Sequence, residues 1–95
     1  MSFEEFKIKI ELLFQERTSF ELLDYSYQPY SFGSGKLAYR INGKVYLYTY
    51  DGRDNLLTLN ASMDHEKYPN CSWPLLLKQE GLSINTDTIL TYLNL

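Results

Sequence analysis

Asn42-Gly43 stands between two runs of alternating side chains, LAYRI before it and KVYLYTY after it. Both central residues of a tight type I′ turn need φ > 0, and Asn followed by Gly meets that need at least cost. The dipeptide predicts a β-hairpin joining strands over 37–41 and 44–50. It also sets the register. With the dipeptide at the tip, Ile41 faces Lys44, Tyr39 faces Tyr46 and Leu37 faces Tyr48, and opposed residues share a face of the sheet. Asp51-Gly52 begins a second turn, and 55–60 reads as a third strand that adds Leu57 and Leu59 to that face. One side of the meander is therefore apolar and aromatic. The other side carries Lys36, Ala38, Arg40, Val45, Leu47, Thr49, Leu56, Thr58 and Asn60.

The apolar side needs a cover. Phe3, Phe6, Ile10, Leu13 and Phe14 recur at helical spacing, so 3–16 reads as an amphipathic helix. Ser2 stands at the N-cap, and Glu4 and Glu5 suit the positive end of the dipole. Ile8 and Leu12 are expected to widen the apolar stripe. Residues 20–28 fit a helix extension or a strand, the alternation at Tyr25 and Tyr27 favouring a strand. Ser31 to Gly35 reads as a flexible turn. Residues 62–67 read as one helical turn ended by Pro69. WPLLLKQEG, at 73–81, fits a short helix or a buried strand, and periodicity does not choose between them. Asn85 or Thr86 caps a last helix with Ile89, Leu90 and Leu93 turned inward. The fold class expected is α+β: an N-terminal helix on an antiparallel sheet of three or four strands, followed by short helical elements.

Ninety-five residues allow one domain. The net charge of -3 disfavours a broad nucleic-acid surface. One Cys excludes an internal disulfide framework. No apolar run approaches the roughly 20 residues of a membrane span, and the opening MSFEEFKIK does not read as a signal peptide. A cytoplasmic protein with no cofactor is expected.

The motifs with chemical potential are sparse. His65 and Cys71 are the single His and the single Cys. As a nucleophile pair they would support an enzyme or small-ligand site, but a solvated His and a small buried thiol account for both. Two such residues fall short of the four that a structural zinc site takes. DGRDN, at 51–55, lacks the alternating oxygen ligands of a calcium loop, and its composition is that of a turn. FGSGK, at 32–36, lacks the spacing and hydroxyl of a phosphate loop. LLKQEG, then LS, then a capped helix resembles a helix-turn-helix, yet the second helix has no Lys or Arg for phosphate or base contact.

Two binding readings remain. The aromatic content is high, with nine Tyr, five Phe and one Trp, and Tyr is enriched at protein interfaces. Tyr25, Tyr27, Tyr30 and Tyr50 lie near strand ends, where exposure is expected. The strip Ala38, Val45, Leu47 and Leu56 offers a homodimer face, as does an unpaired edge strand. A non-catalytic protein-interaction module is the leading expectation: an inhibitor, an immunity-type antagonist or an adaptor. The alternative is a nucleic-acid module using Lys36, Arg40 and Arg53.

Overall fold

The computed structural model describes residues 1–63 and 66–94. Helix α1 (Phe3–Gln15) precedes strands β1 (Glu21–Gln28), β2 (Ser34–Ile41), β3 (Lys44–Asp51), β4 (Leu56–Ala61) and β5 (Leu75–Glu80), and helix α2 (Thr86–Tyr92) ends the order. The strands pair in sequence order as one antiparallel sheet. The fold is α+β, as expected, but the sheet has five strands rather than three or four. Both undecided segments, 20–28 and 73–80, supply the additional strands at its two edges. Their own periodicity is ambiguous, and pairing with β2 and β4 decides their type.

The central hairpin has the expected register, with Ile41 opposite Lys44, Tyr39 opposite Tyr46 and Leu37 opposite Tyr48. Asn42 and Gly43 take φ values of 52° and 82°, as the tight turn requires. Tyr48 and Tyr50 then face Leu59 and Leu57 across β3 and β4. The Ser2 side chain accepts a hydrogen bond from the Glu5 amide and caps α1. Asn85, not Thr86, caps α2 by accepting from the Thr88 amide.

Both helices lie on one face of the sheet. Phe3, Phe6, Ile10 and Phe14 of α1 are buried against Leu37, Tyr39, Ile41, Tyr46, Tyr48, Leu57 and Leu59, with Leu82, Ile89 and Leu93 beside them. Aromatic edges fix the seat of α1: Phe6 meets Tyr48 at 5.4 Å and Phe14 meets Tyr39 at 5.2 Å between centroids. The Tyr39 hydroxyl reaches out of this core and donates to Glu11 at 2.7 Å. Ile8 and Leu12 do not join the stripe; both are exposed. Each stands two residues from its buried neighbours, Ile8 from Phe6 and Ile10 and Leu12 from Ile10 and Phe14, about 200° round the helix and so away from the sheet.

Among the described residues, the Tyr48 hydroxyl is buried with no hydrogen-bond partner. An unsatisfied buried hydroxyl costs about 1–3 kcal/mol. Tyr48→Phe keeps the ring and removes the orphan. It is expected to be neutral or to stabilise by about 1 kcal/mol in urea unfolding. A loss of that size would mean that the hydroxyl has a partner.

The opposite face of the sheet is partly covered, against expectation. After β4 the chain turns onto that face, where Ser62 is buried and its Oγ accepts from the Val45 amide at 2.8 Å. The Tyr68 hydroxyl donates to Asp24 on β1 at 2.6 Å. Three strand spacings, about 14 Å, separate β4 from β1, so the connection crosses the sheet. Trp73 packs edge-on against Tyr68, and its carbonyl accepts from Asn60 at 3.0 Å, which returns the chain to β5. The Tyr68-Pro69 peptide bond within it is cis. The helical turn expected over 62–67 includes Asp64 and His65, which lie outside the described residues; its last residue, Lys67, bridges to Asn70.

Candidate functional site

The four tyrosines singled out from the sequence have different surroundings. Tyr50 is half-buried: its ring stacks on Phe3 at 6.1 Å, and its hydroxyl donates to Asn55 at 2.7 Å. Tyr27 is half-buried against the core. Tyr25, on edge strand β1, stacks on Phe3 at 6.4 Å with the Lys7 ammonium 5.2 Å from its ring. Tyr30 is fully exposed in the turn between β1 and β2.

That turn holds a second exposed aromatic, Phe32, which leaves 70% of its surface in solvent. Sequence reasoning passed over it because Ser, Gly and Ser surround it and suggest flexibility. The turn is held instead. Ser31 and Ser34 amides donate to the Gln28 and Ser31 carbonyls at 3.0 and 3.1 Å. Ser34 Oγ accepts from the Gly52 amide in the β3–β4 turn at 3.0 Å. Gly52 lies so close beneath Phe32 that a Cβ there would overlap the Phe32 carbonyl. Below this, Gly35 admits the Phe3 ring where any side chain would collide.

Phe32 has φ 59°, in the left-handed region. A bulky residue there is a conformational outlier, and the left-handed state costs an ordinary residue about 1–2 kcal/mol. The contacts with Gly52 and the Ser34 side chain over-determine the loop and hold it in place. The result is a hydrogen-bonded turn carrying two exposed aromatic rings, built with the help of a second turn distant in sequence.

The supposed homodimer strip is largely unavailable. Ala38 and Val45 are fully buried beneath the β4–β5 connection, and Leu47 and Leu56 are half-buried. Edge strands β1 and β5 both break register, between Leu22 and Asp24 and between Leu59 and Asn60 of the β4–β5 pair. Such irregularities discourage edge-to-edge pairing.

The three basic residues singled out lie on strand β2 and in the β3–β4 turn. Arg40 donates to Glu21 at 2.7 Å across β1 and β2. Lys36 lies four residues away on the same strand, about 13 Å, and is exposed. Arg53 sits in the β3–β4 turn, where its amide donates to Asp51 at 3.0 Å. The Asp51 carboxylate thus serves the turn itself, accepting from the Arg53 and Asp54 amides.

Cys71 is half-buried. Burial, then the Glu66 carboxylate, pushes its thiol up from the ordinary range, opposite to the activation a nucleophile needs. His65 lies outside the described residues, so the pair is not placed. No cluster of three or more His, Cys, Asp or Glu suited to a metal occurs among the described residues. A small cavity beside Tyr48, Gln79 and Thr88 has a volume of about 10 Å³, against about 300–1,000 Å³ for ligand pockets. A larger hollow of about 600 Å³, at Arg40, Gly43, Glu66, Lys67 and Tyr68, opens broadly to solvent. Among the described residues, no helix is long and apolar enough to cross a membrane.

Comparison of the chain with protein-family models, with curated proteins and with solved structures gives no match.

Proposed function

We propose that this chain is a small, acidic, non-catalytic protein-interaction module of the inhibitor, antagonist or adaptor kind, working in the cytoplasm. Its principal contact is the β1–β2 turn, with Tyr30 and Phe32 as anchors that enter a concave pocket on the partner. The observation that carries this reading is Phe32, held outward at φ 59° when a polar residue or glycine would serve the turn at lower cost. Rigid aromatic side chains lose little entropy on binding and dominate interface energetics. Two exposed rings on one short turn can enter a pocket together. The single half-buried Cys suits a reducing compartment.

The test is an affinity capture from the source cell's lysate, with and without nuclease, at low and moderate salt. Wild-type chain is expected to retain a stoichiometric protein that survives both treatments. Tyr30→Ala/Phe32→Gly is expected to lose it. Recovery of nucleic acid that falls away as salt rises would favour the basic residues instead.

Phe32→Gly also separates stability from binding. Glycine adopts the left-handed conformation without a side-chain penalty. The variant is expected to unfold at higher denaturant, gaining about 1 kcal/mol, while binding the captured partner more weakly. A destabilised variant, or one with full affinity, would count against Phe32 as an anchor.

A further inference from the structure

Helix α1 leaves an apolar pair on the side away from the sheet. Its buried residues are Phe3, Phe6, Ile10 and Phe14. Ile8 stands two residues from both Phe6 and Ile10, about 200° round an α-helix. Ile8 is 54% exposed and Leu12, one turn on, is 56% exposed. Residues four apart line up on one helix face. Glu4, Ile8, Leu12 and Glu16 therefore form a single row, an apolar centre with a carboxylate at each end. Glu5 adds a second acid at the N-terminal end, and all three glutamates are exposed. Lys7 does not neutralise them. It turns toward β1, where its ammonium lies 3.0 Å from Glu11 and over the Tyr25 ring. Lys9 is exposed four residues from Glu5, and Arg17 is exposed beside Glu16; three exposed acids against two exposed bases leave this face net acidic.

Single exposed apolar residues are ordinary on a monomer. Here two stand in register between like charges, and the charges select the occupant. A second copy laid antiparallel along the row sets Glu4 against the copy's Glu16, and a parallel copy sets Glu4 against Glu4. Either arrangement brings carboxylates together, and like-charge juxtaposition works against an interface. An anionic lipid surface meets the same repulsion. A cationic amphipathic helix meets a net attraction, with Glu4 and Glu16 at the two ends of the row, and its apolar residues cover Ile8 and Leu12 by ridge packing along the same i, i+4 row.

We infer that the outward face of α1 docks an amphipathic helix of a protein partner, one with two apolar side chains four residues apart and a Lys or Arg one turn beyond each. This rests on reading the chain as a protein-interaction module, but it uses a different surface from the Tyr30–Phe32 turn.

The probe is a synthetic helical peptide with that pattern and lysine at the flanking positions, added at low salt to the full isotopically labelled chain. A second peptide carries glutamate at each lysine position. The lysine peptide alone is expected to move the amide resonances of α1. Ile8→Asp/Leu12→Asp and, separately, Glu4→Lys/Glu16→Lys are each expected to weaken it by about tenfold or more, and Tyr30→Ala/Phe32→Gly to leave it unchanged. Circular dichroism checks that each variant is folded; should the aspartate pair fail to fold, the charge reversal decides. Absence of binding, equal binding of both peptides, shifts confined to other elements, or affinity indifferent to charge reversal would overturn the inference. So would a dimer in sedimentation equilibrium that Leu12→Asp dissociates, because the occupant would then be a second copy. If the α1 surface fails while the turn variant still loses its captured protein, the interaction module stands and only this surface falls.

Discussion

Phe14→Ala is expected to remove about 3–5 kcal/mol of stability, the range for deleting a fully buried aromatic side chain. Phe14 has no exposed surface, and its ring meets Tyr39 at 5.2 Å and Phe20 at 5.6 Å, both edge-on. It closes the C-terminal end of α1 onto the sheet. A domain of this size has roughly 5–15 kcal/mol in total, so the variant is expected to be partly unfolded near 37 °C. Its melting temperature should fall by at least about 12 °C. Leu12→Ala, two residues away on the outward face, is the matched control and should change stability by no more than about 0.5 kcal/mol. Thermal and urea unfolding followed by circular dichroism measures both. Equal losses would mean that α1 is seated on a different face.

Gly52→Ala is expected to show the second large effect, and on two readouts. Its new methyl group would overlap the Phe32 backbone carbonyl, which cannot swing aside as a side-chain tip could. Overpacking of this kind costs about 1–3 kcal/mol. The hydrogen bond from the Gly52 amide to Ser34 Oγ is strained with it. The β1–β2 turn must therefore shift, carrying Tyr30 and Phe32 out of position. Amide resonances over 30–35 should move, and retention of the captured partner should fall although neither aromatic has been changed. If alanine is accepted with the turn unmoved, the two turns are not coupled and the held turn loses its physical basis. Gly43→Ala offers a contrast: nothing lies within 4 Å of the added carbon, and only its φ of 82° resists the change.

What was legible in the sequence was local or periodic. Asn42-Gly43 specifies a turn whose geometry allows one register, and that register assigns Leu37, Tyr39, Tyr46 and Tyr48 to one face. Ser2 caps α1 because an N-cap is a contact between residues three apart. Tyr30 was legible as a candidate because it follows Pro29 at the end of a strand. Phe32 was not, because its conformation depends on Gly52, which reaches it only through the folded sheet.

Tertiary structure decided the rest, through contacts between segments far apart in sequence. The alternating pattern separates the two faces of the sheet but does not say what covers each. Ala38 and Val45 are buried because the β4–β5 connection crosses them and fastens Tyr68 to Asp24, forty-four positions away. Segments 21–28 and 75–80 have no decisive period and became strands because β2 and β4 each had an open edge to pair. Ile8 and Leu12, expected to widen the apolar stripe, each stand about 200° round the helix from the stripe residues on either side, so the helical period itself places them on the outward face. What the period leaves open is whether another segment covers that outward face, and none does among the described residues. Periodicity determines which residues share a side; burial depends on what the rest of the chain brings to that side.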